Sequence, residues 1–263
     1  MLLIATCLGA LIGLTLALTG AGGGILAVPA LTLGLGWSMT QASPIALLTV
    51  ASAAAIGMMG GLKNGLVRFR AAMLISLIGI IAAPFGQRLS LVLPERWLIG
   101  LFACVMLIVA ARLFRLSGRP SIKIIRPTCT VNATTGRITW NAISFFKLCM
   151  IGLISGLATG LLGVGGGFIV VPALLRCSDI AMNGIIATSL MVIALISLGS
   201  VISAFTMGNM ELSGPALLFI GGAMGGMLLG RQFAEKIPAA WLQRAFSILI
   251  TGVALAMFYK IIF

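Results

Sequence analysis

Histidine is absent, and acidic side chains number four, Glu95, Asp179, Glu211 and Glu235, in a chain of 263 residues. Metal ligation and general acid–base chemistry draw on His, Asp, Glu and Cys, so those functions have little material here. The five cysteines, Cys7, Cys104, Cys129, Cys149 and Cys177, form no C-x-x-C pair and no ligand spacing. They read as small buried hydrophobes. Charge of either sign is scarce, at 8% of residues against roughly 25% in a soluble domain. Apolar residues fill the gap at 60%, in runs long enough to cross a bilayer.

The shortage of acids leaves 17 Lys and Arg nearly unopposed, a net charge of +13. These bases fall between apolar runs without aromatic–basic interleaving, which marks cytoplasmic loops of a membrane protein and argues against nucleic-acid binding. The expected fold is therefore an all-α polytopic membrane protein. The apolar stretch 1–30 lacks the basic start of a secretory signal and recurs inside the chain, so it is read as structure.

That recurrence is the main organising feature. Gly20-Ala-Gly-Gly-Gly-Ile-Leu-Ala-Val-Pro29-Ala-Leu31 returns 143 residues later as Gly163-Val-Gly-Gly-Gly-Phe-Ile-Val-Val-Pro172-Ala-Leu174. Gly9 and Gly13 match Gly152 and Gly156 at the same offset, and Leu93-Pro94-x-x-Trp97-Leu98 aligns with Ile237-Pro238-x-x-Trp241-Leu242 after a small shift. The chain divides into a first membrane repeat (1–114), a basic linker (115–147) and a second membrane repeat (148–263). Each repeat has an apolar stretch, a glycine-rich break, a second short apolar stretch and three longer runs, about 8 to 10 hydrophobic segments in all.

The bases test how each repeat is threaded. If the first two pieces of each half make one crossing, the halves run parallel and the 17 bases divide 11 to 6 between the two sides. If those pieces form a hairpin, the second half is inverted and the division is 14 to 3. The sharper asymmetry favours two inverted repeats, each a glycine-broken helical hairpin followed by three transmembrane helices. Both termini then face outside and the linker is cytoplasmic.

Glycine runs at membrane depth have two readings. Gly9-x-x-x-Gly13 and Gly152-x-x-x-Gly156 suit close helix packing. Gly22, Gly23 and Gly24, and Gly165, Gly166 and Gly167, each followed by Pro29 or Pro172, read as helix breaks. Unpaired backbone is tolerated in a bilayer only where it is buried or lines a cavity, and freed amides with the positive ends of the following half-helices suit an anion. The candidate substrate-binding set is Gly20, Gly22, Gly23, Gly24, Gly163, Gly165, Gly166 and Gly167 with Gln41, Ser43, Asn183, Thr188 and Ser189, which open the helices that follow. For Gln41 and Asn183 capping is the favoured role, and for Thr15, Thr19, Ser155 and Thr159 a bond back to their own helix. A nucleotide loop is excluded because no Gly-Lys-Ser/Thr follows either run. No catalytic residue, metal or cofactor is expected.

The duplicated G-x-G-G-G-x-x-x-x-P motif, with Ala187-Thr188-Ser189-Leu190 after its second copy, resembles the sulfite exporter TauE/SafE family of membrane transporters. The resemblance covers both repeats, although Ala42-Ser43-Pro44-Ile45 stands where the first half would repeat the Thr-Ser pattern. It implies transport of sulfur-containing anions, sulfite or organosulfonates, across the bacterial inner membrane. The acids lie in expected loops and span ends, so no proton relay is visible, and an inside-negative potential contributes about 2.3 kcal/mol per charge per 100 mV toward anion export. Potential-driven export is the expectation; uptake of the same or another small anion, or a proton-coupled carrier, is the alternative. The expected partners are a small sulfur-containing anion and the lipid bilayer, with a homodimer compatible with the glycine-rich helices.

Overall fold

The structure, a computed structural model, describes residues 2–20, 23–117, 142–178, 182–206, 213–234 and 239–262. The first repeat forms α1 (Leu2–Thr19), a short 3-10 turn (Gly23–Leu26), α2 (Ala27–Gly34), α3 (Met39–Lys63), α4 (Phe69–Val92) and α5 (Glu95–Ser117). The second forms α6 (Ala142–Leu162), α7 (Gly167–Cys177), α8 (Met182–Thr206), α9 (Gly214–Ala234) and α10 (Ala239–Ile262). Seven of these helices are long and apolar enough to cross a membrane. The two that follow the glycine breaks are too short, and α9 has the length but dilutes its apolar content with six glycines. Both α5 and α6 reach into the stretch read as linker, and residues 118–141 lie outside the described set.

Local sequence explains where helices begin and end. Ser38 accepts from the Gln41 amide, and the Gln41 side chain accepts in return from the Ser38 amide, a capping box that starts α3. Gly65 takes a left-handed φ of 63° just beyond the C-cap Asn64 and lets the chain leave α3.

Packing runs mainly between the repeats. Helix α1 lies against α9 and α4 against α6; α3 pairs with α8, and α5 with α10. Exchanging the two repeats turns each of these pairings into another of the same set, an internal symmetry of contacts. Glycines permit the closest approaches: a Cβ on Gly9 or Gly13 would overlap the carbonyls of Phe219 or Ala223 on α9, and one on Gly152 or Gly156 those of Ile75 or Gly79 on α4. The packing reading of these glycines therefore holds, with the partner helix supplied by the opposite repeat. Helices α3 and α8 form the enclosed centre, while Phe85, Ile108, Phe146, Leu217 and Leu255 stay exposed on the outside. So apolar a perimeter on a bundle of spanning helices is covered by lipid.

Candidate functional site

Both glycine runs interrupt the helices. In the first repeat α1 ends at Gly20, whose φ of 75° is left-handed, and the 3-10 turn intervenes before α2. Gly22 lies outside the described residues. In the second, Gly163, Gly165 and Gly166 have φ of 72°, 77° and 65°, and α7 opens at Gly167. A side-chain-bearing residue pays roughly 1–2 kcal/mol for that backbone conformation, which glycine escapes.

Space restricts these positions as firmly as angle does. A Cβ on Gly20 would strike Ile186 of α8, and one on Gly163 would strike Ser43 of α3. Each break is thus lined by the central helix of the opposite repeat. A Cβ on Gly24 would stand 3.1 Å from the Val164 carbonyl oxygen, so the two breaks meet one another, with Val50 beside both Gly24 and Gly165. Ile186, 143 residues after Ser43, occupies the place across from the first break that Ser43 occupies across from the second.

The prolines correct one expectation. Pro29 falls in the first turn of α2, and α7 continues through Pro172, so the helices break at the glycines and the prolines follow. Glycines supply the left-handed turn, whereas proline in a first turn fits helical backbone, and Pro172 removes one amide donor and crowds the Phe168 carbonyl without ending α7.

Hydroxyls before the breaks bond within their helices. Thr15 donates to the Ile12 carbonyl, Thr19 to Thr15, Ser155 to Gly152 and Thr159 to Ser155, at 2.6–3.1 Å. Thr19 also accepts from the Gly23 amide at 3.1 Å, tying the first break together. Thr188 and Ser189 are buried, donating to the Gly184 and Ile185 carbonyls, and Thr188 accepts from the Arg68 amide at 3.1 Å. Neither lines either of the two cavities that flank the breaks.

Sequence reasoning missed Ser197. It is fully buried on α8, its Oγ has no hydrogen-bond partner among the described residues, and a Cβ on Gly165 would lie 2.8 Å from that oxygen. No side chain caps α7, which opens two residues after Gly165, and the amides of Gly167 and Phe168 have no partner among the described residues. Unmet donors and an unmet hydroxyl are thus gathered at the second break, in a buried place where each costs about 1–3 kcal/mol unless something bonds to it.

Two cavities flank the breaks. The first, of about 570 Å³, is lined by Gln41, Ser43, Gln87, Ser90 and Ser213 among others, with Gly160 and Leu161 just before the second break. The second, of about 1110 Å³, is lined by Asn64, Arg112, Asn183, Arg231 and Gln243 among others, with Leu18 and Thr19 just before the first break. The sequence candidates therefore separate: Gln41 and Ser43 face one cavity, Asn183 and Pro172 the other. Gln87 and Arg231, each preceded by a glycine and 144 residues apart in the sequence, stand one in each cavity. Glu95, the one acidic residue among those described, accepts from the Met39 amide at 2.8 Å and so sits at the start of α3.

Residues 5–257 match the family described as sulfite exporter TauE/SafE. A protein of Xylella fastidiosa strain Temecula1 named "Probable membrane transporter protein" is 28% identical over 258 residues, covering 96% of this chain and 93% of its own. Its namesake from Xylella fastidiosa strain 9a5c is 26% identical over 255 residues, with the same coverage. No solved structure matches the chain. With the family spanning both repeats, the chain belongs to the sulfite exporter TauE/SafE family: it is a multi-pass transporter of the bacterial inner membrane, and not an enzyme.

Proposed function

We propose that the protein exports a sulfur-containing anion, sulfite or an organosulfonate, with the substrate held where the two glycine breaks meet. The observation that carries this reading is the buried, unmet polar cluster at the second break: Ser197 Oγ with the amides of Gly167 and Phe168. Amide donors at the start of α7, reinforced by the positive end of that helix, suit an oxyanion, and no acidic side chain is described nearby to repel one. The family description supplies the sulfur chemistry.

The same reading takes each repeat as a hairpin of two helices followed by three crossings, with the second repeat inverted. Support comes from three contacts. A Cβ on Gly34, at the end of α2, would run into Leu8 near the start of α1, and one on Gly23 into the backbone of Leu16, as expected if α2 returns alongside α1. Lys260 Nζ donates to the Thr32 carbonyl at 3.2 Å, which brings the end of α2 to the level of the end of α10. On this topology the cavity holding Arg112 and Arg231 opens to the cytoplasm and the one holding Gln41 and Gln87 to the outside. Rocking of the repeats about the central site then exposes it to each side in turn.

Reconstituted vesicles preloaded with sulfite, taurine, sulfate or chloride test the assignment. Efflux of sulfite or the sulfonate well above protein-free vesicles is expected, with sulfate and chloride retained. Equal release of all four anions would contradict it.

A further inference from the structure

Gln87 on α4 and Arg231 on α9 are counterparts 144 residues apart, and each makes the same bond. Gln87 Nε2 donates to the Ser200 carbonyl on α8 at 2.8 Å; Arg231 Nη1 donates to the Ile56 carbonyl on α3 at 3.1 Å. The two acceptors are also 144 residues apart. In both repeats, then, a side chain from the fourth helix grips the central helix of the opposite repeat beside a cavity. The fit is complementary on each side: the Arg231 guanidinium lies over Gly60, where any Cβ would overlap it, and Ala204, 144 residues on from Gly60, lines the cavity of Gln87.

The side chains differ in charge and in what they offer an anion. Arg231 keeps further N–H donors after its bond to Ile56, and Arg112, whose Nε is buried without a partner among the described residues, lines the same cavity. Among the described residues, no acidic side chain lines that cavity, and no charged side chain of either sign lines the other. Gln87 presents a buried Oε1 with no partner among the described residues, an acceptor that repels an anion where Arg231 attracts one.

We propose that this matched pair makes the transporter asymmetric toward its substrate: Arg231, with Arg112, forms an oxyanion-binding station in the larger cavity, and Gln87 denies the equivalent station to the smaller one. The inference rests on the topology above, which makes the larger cavity cytoplasmic. It deepens the proposed function by giving the oxyanion a high-affinity cytoplasmic station and a low-affinity outer one. Such asymmetry leaves the equilibrium distribution to the driving force. It sets the concentration at which each face saturates.

The test uses right-side-out and inside-out membrane vesicles, with sulfite as probe and initial rates giving the half-saturation at each exposed face. Wild type should saturate at lower sulfite on the cytoplasmic face, by about tenfold or more, the worth of one hydrogen bond to a charged group. Arg231→Gln should remove that preference while keeping the helix tie, since the counterpart glutamine already makes it. Combining Arg231→Gln with Gln87→Arg should reverse the preference. Arg231→Gln raising half-saturation equally on both faces, or on neither, would overturn the proposal. A wild-type preference for the outer face that Arg231→Gln abolishes would support the pair and overturn only the sidedness. If wild type moves no sulfite, the substrate assignment fails; sulfite stabilisation of the detergent-purified protein, measured in parallel, still decides. Weaker stabilisation of Arg231→Gln than of wild type supports the station, and equal stabilisation of the two, or none of either, overturns it.

Discussion

Gly166→Leu is expected to abolish transport, with sulfite efflux falling at least about a hundredfold while the protein still reaches the membrane. Two effects combine at this position. The left-handed φ of 65° costs an L-residue roughly 1–2 kcal/mol. The first side-chain carbon would stand 2.6 Å from Thr159 Oγ1 and 2.8 Å from the Ser155 carbonyl oxygen, which belongs to backbone and cannot swing away. The peptide must rotate, and the peptides that follow carry the unpaired amides of Gly167 and Phe168. Losing two charge-assisted hydrogen bonds of about 1.5–3 kcal/mol each corresponds to the stated loss or more. Gly225, where an added methyl group would meet no neighbour within 4 Å, is the matched control: Gly225→Ala adds a better helix former in open space and should leave efflux intact. Efflux from vesicles normalised to membrane-inserted protein separates the two variants; comparable loss in both would contradict a site at the break.

Collapse of the membrane potential should halt net export even when a pH gradient is kept. An inside-negative potential of 100 mV contributes about 2.3 kcal/mol per charge, enough to hold a roughly 50-fold excess of a monovalent anion outside. Proton coupling normally requires a carboxylate or histidine within the span, and the chain has no histidine. Glu95, the acid among the described residues, is committed to the Met39 amide at the start of α3. Vesicles clamped with potassium and valinomycin, at fixed internal and external pH, isolate the two gradients. Sulfite distribution should follow the imposed potential. A distribution that follows pH and ignores potential would transfer the drive to protons.

The sequence was most informative where chemistry constrains backbone. Glycine-rich runs predict a break because few other residues tolerate left-handed angles, and Gly20, Gly163, Gly165 and Gly166 adopt them. Gly9, Gly13, Gly152 and Gly156 likewise announce close packing, although only the structure assigns α9 and α4 as partners. Orientation about a helix axis was harder to read. Helix α8 is apolar all round, so periodicity cannot say which face meets the break. Thr188 and Ser189 looked suited to an anion from their place in the first turns, yet both hydroxyls turn back onto their own helix. Ser197, indistinguishable in the sequence from other mid-helix serines, is the one that faces Gly165 with an unspent hydroxyl. Ser43 was identifiable as a candidate but not as a neighbour of Gly163, because that contact joins opposite repeats.

Thermal unfolding of the detergent-purified protein, across a panel of sulfite, thiosulfate, sulfate, sulfoacetate, taurine, phosphate and chloride, tests the central claim most directly when wild type is compared with a Gly23→Leu and Gly166→Leu double variant. A ligand that binds only the folded state at a hundred times its dissociation constant stabilises by about 2.7 kcal/mol, well within reach of the method. The account predicts that sulfite or a sulfonate raises the unfolding temperature of wild type, and that the folded variant responds less, keeping only the share that the Arg231 station supplies. Equal stabilisation of both proteins would move the anion away from the glycine breaks and return those glycines to helix packing alone.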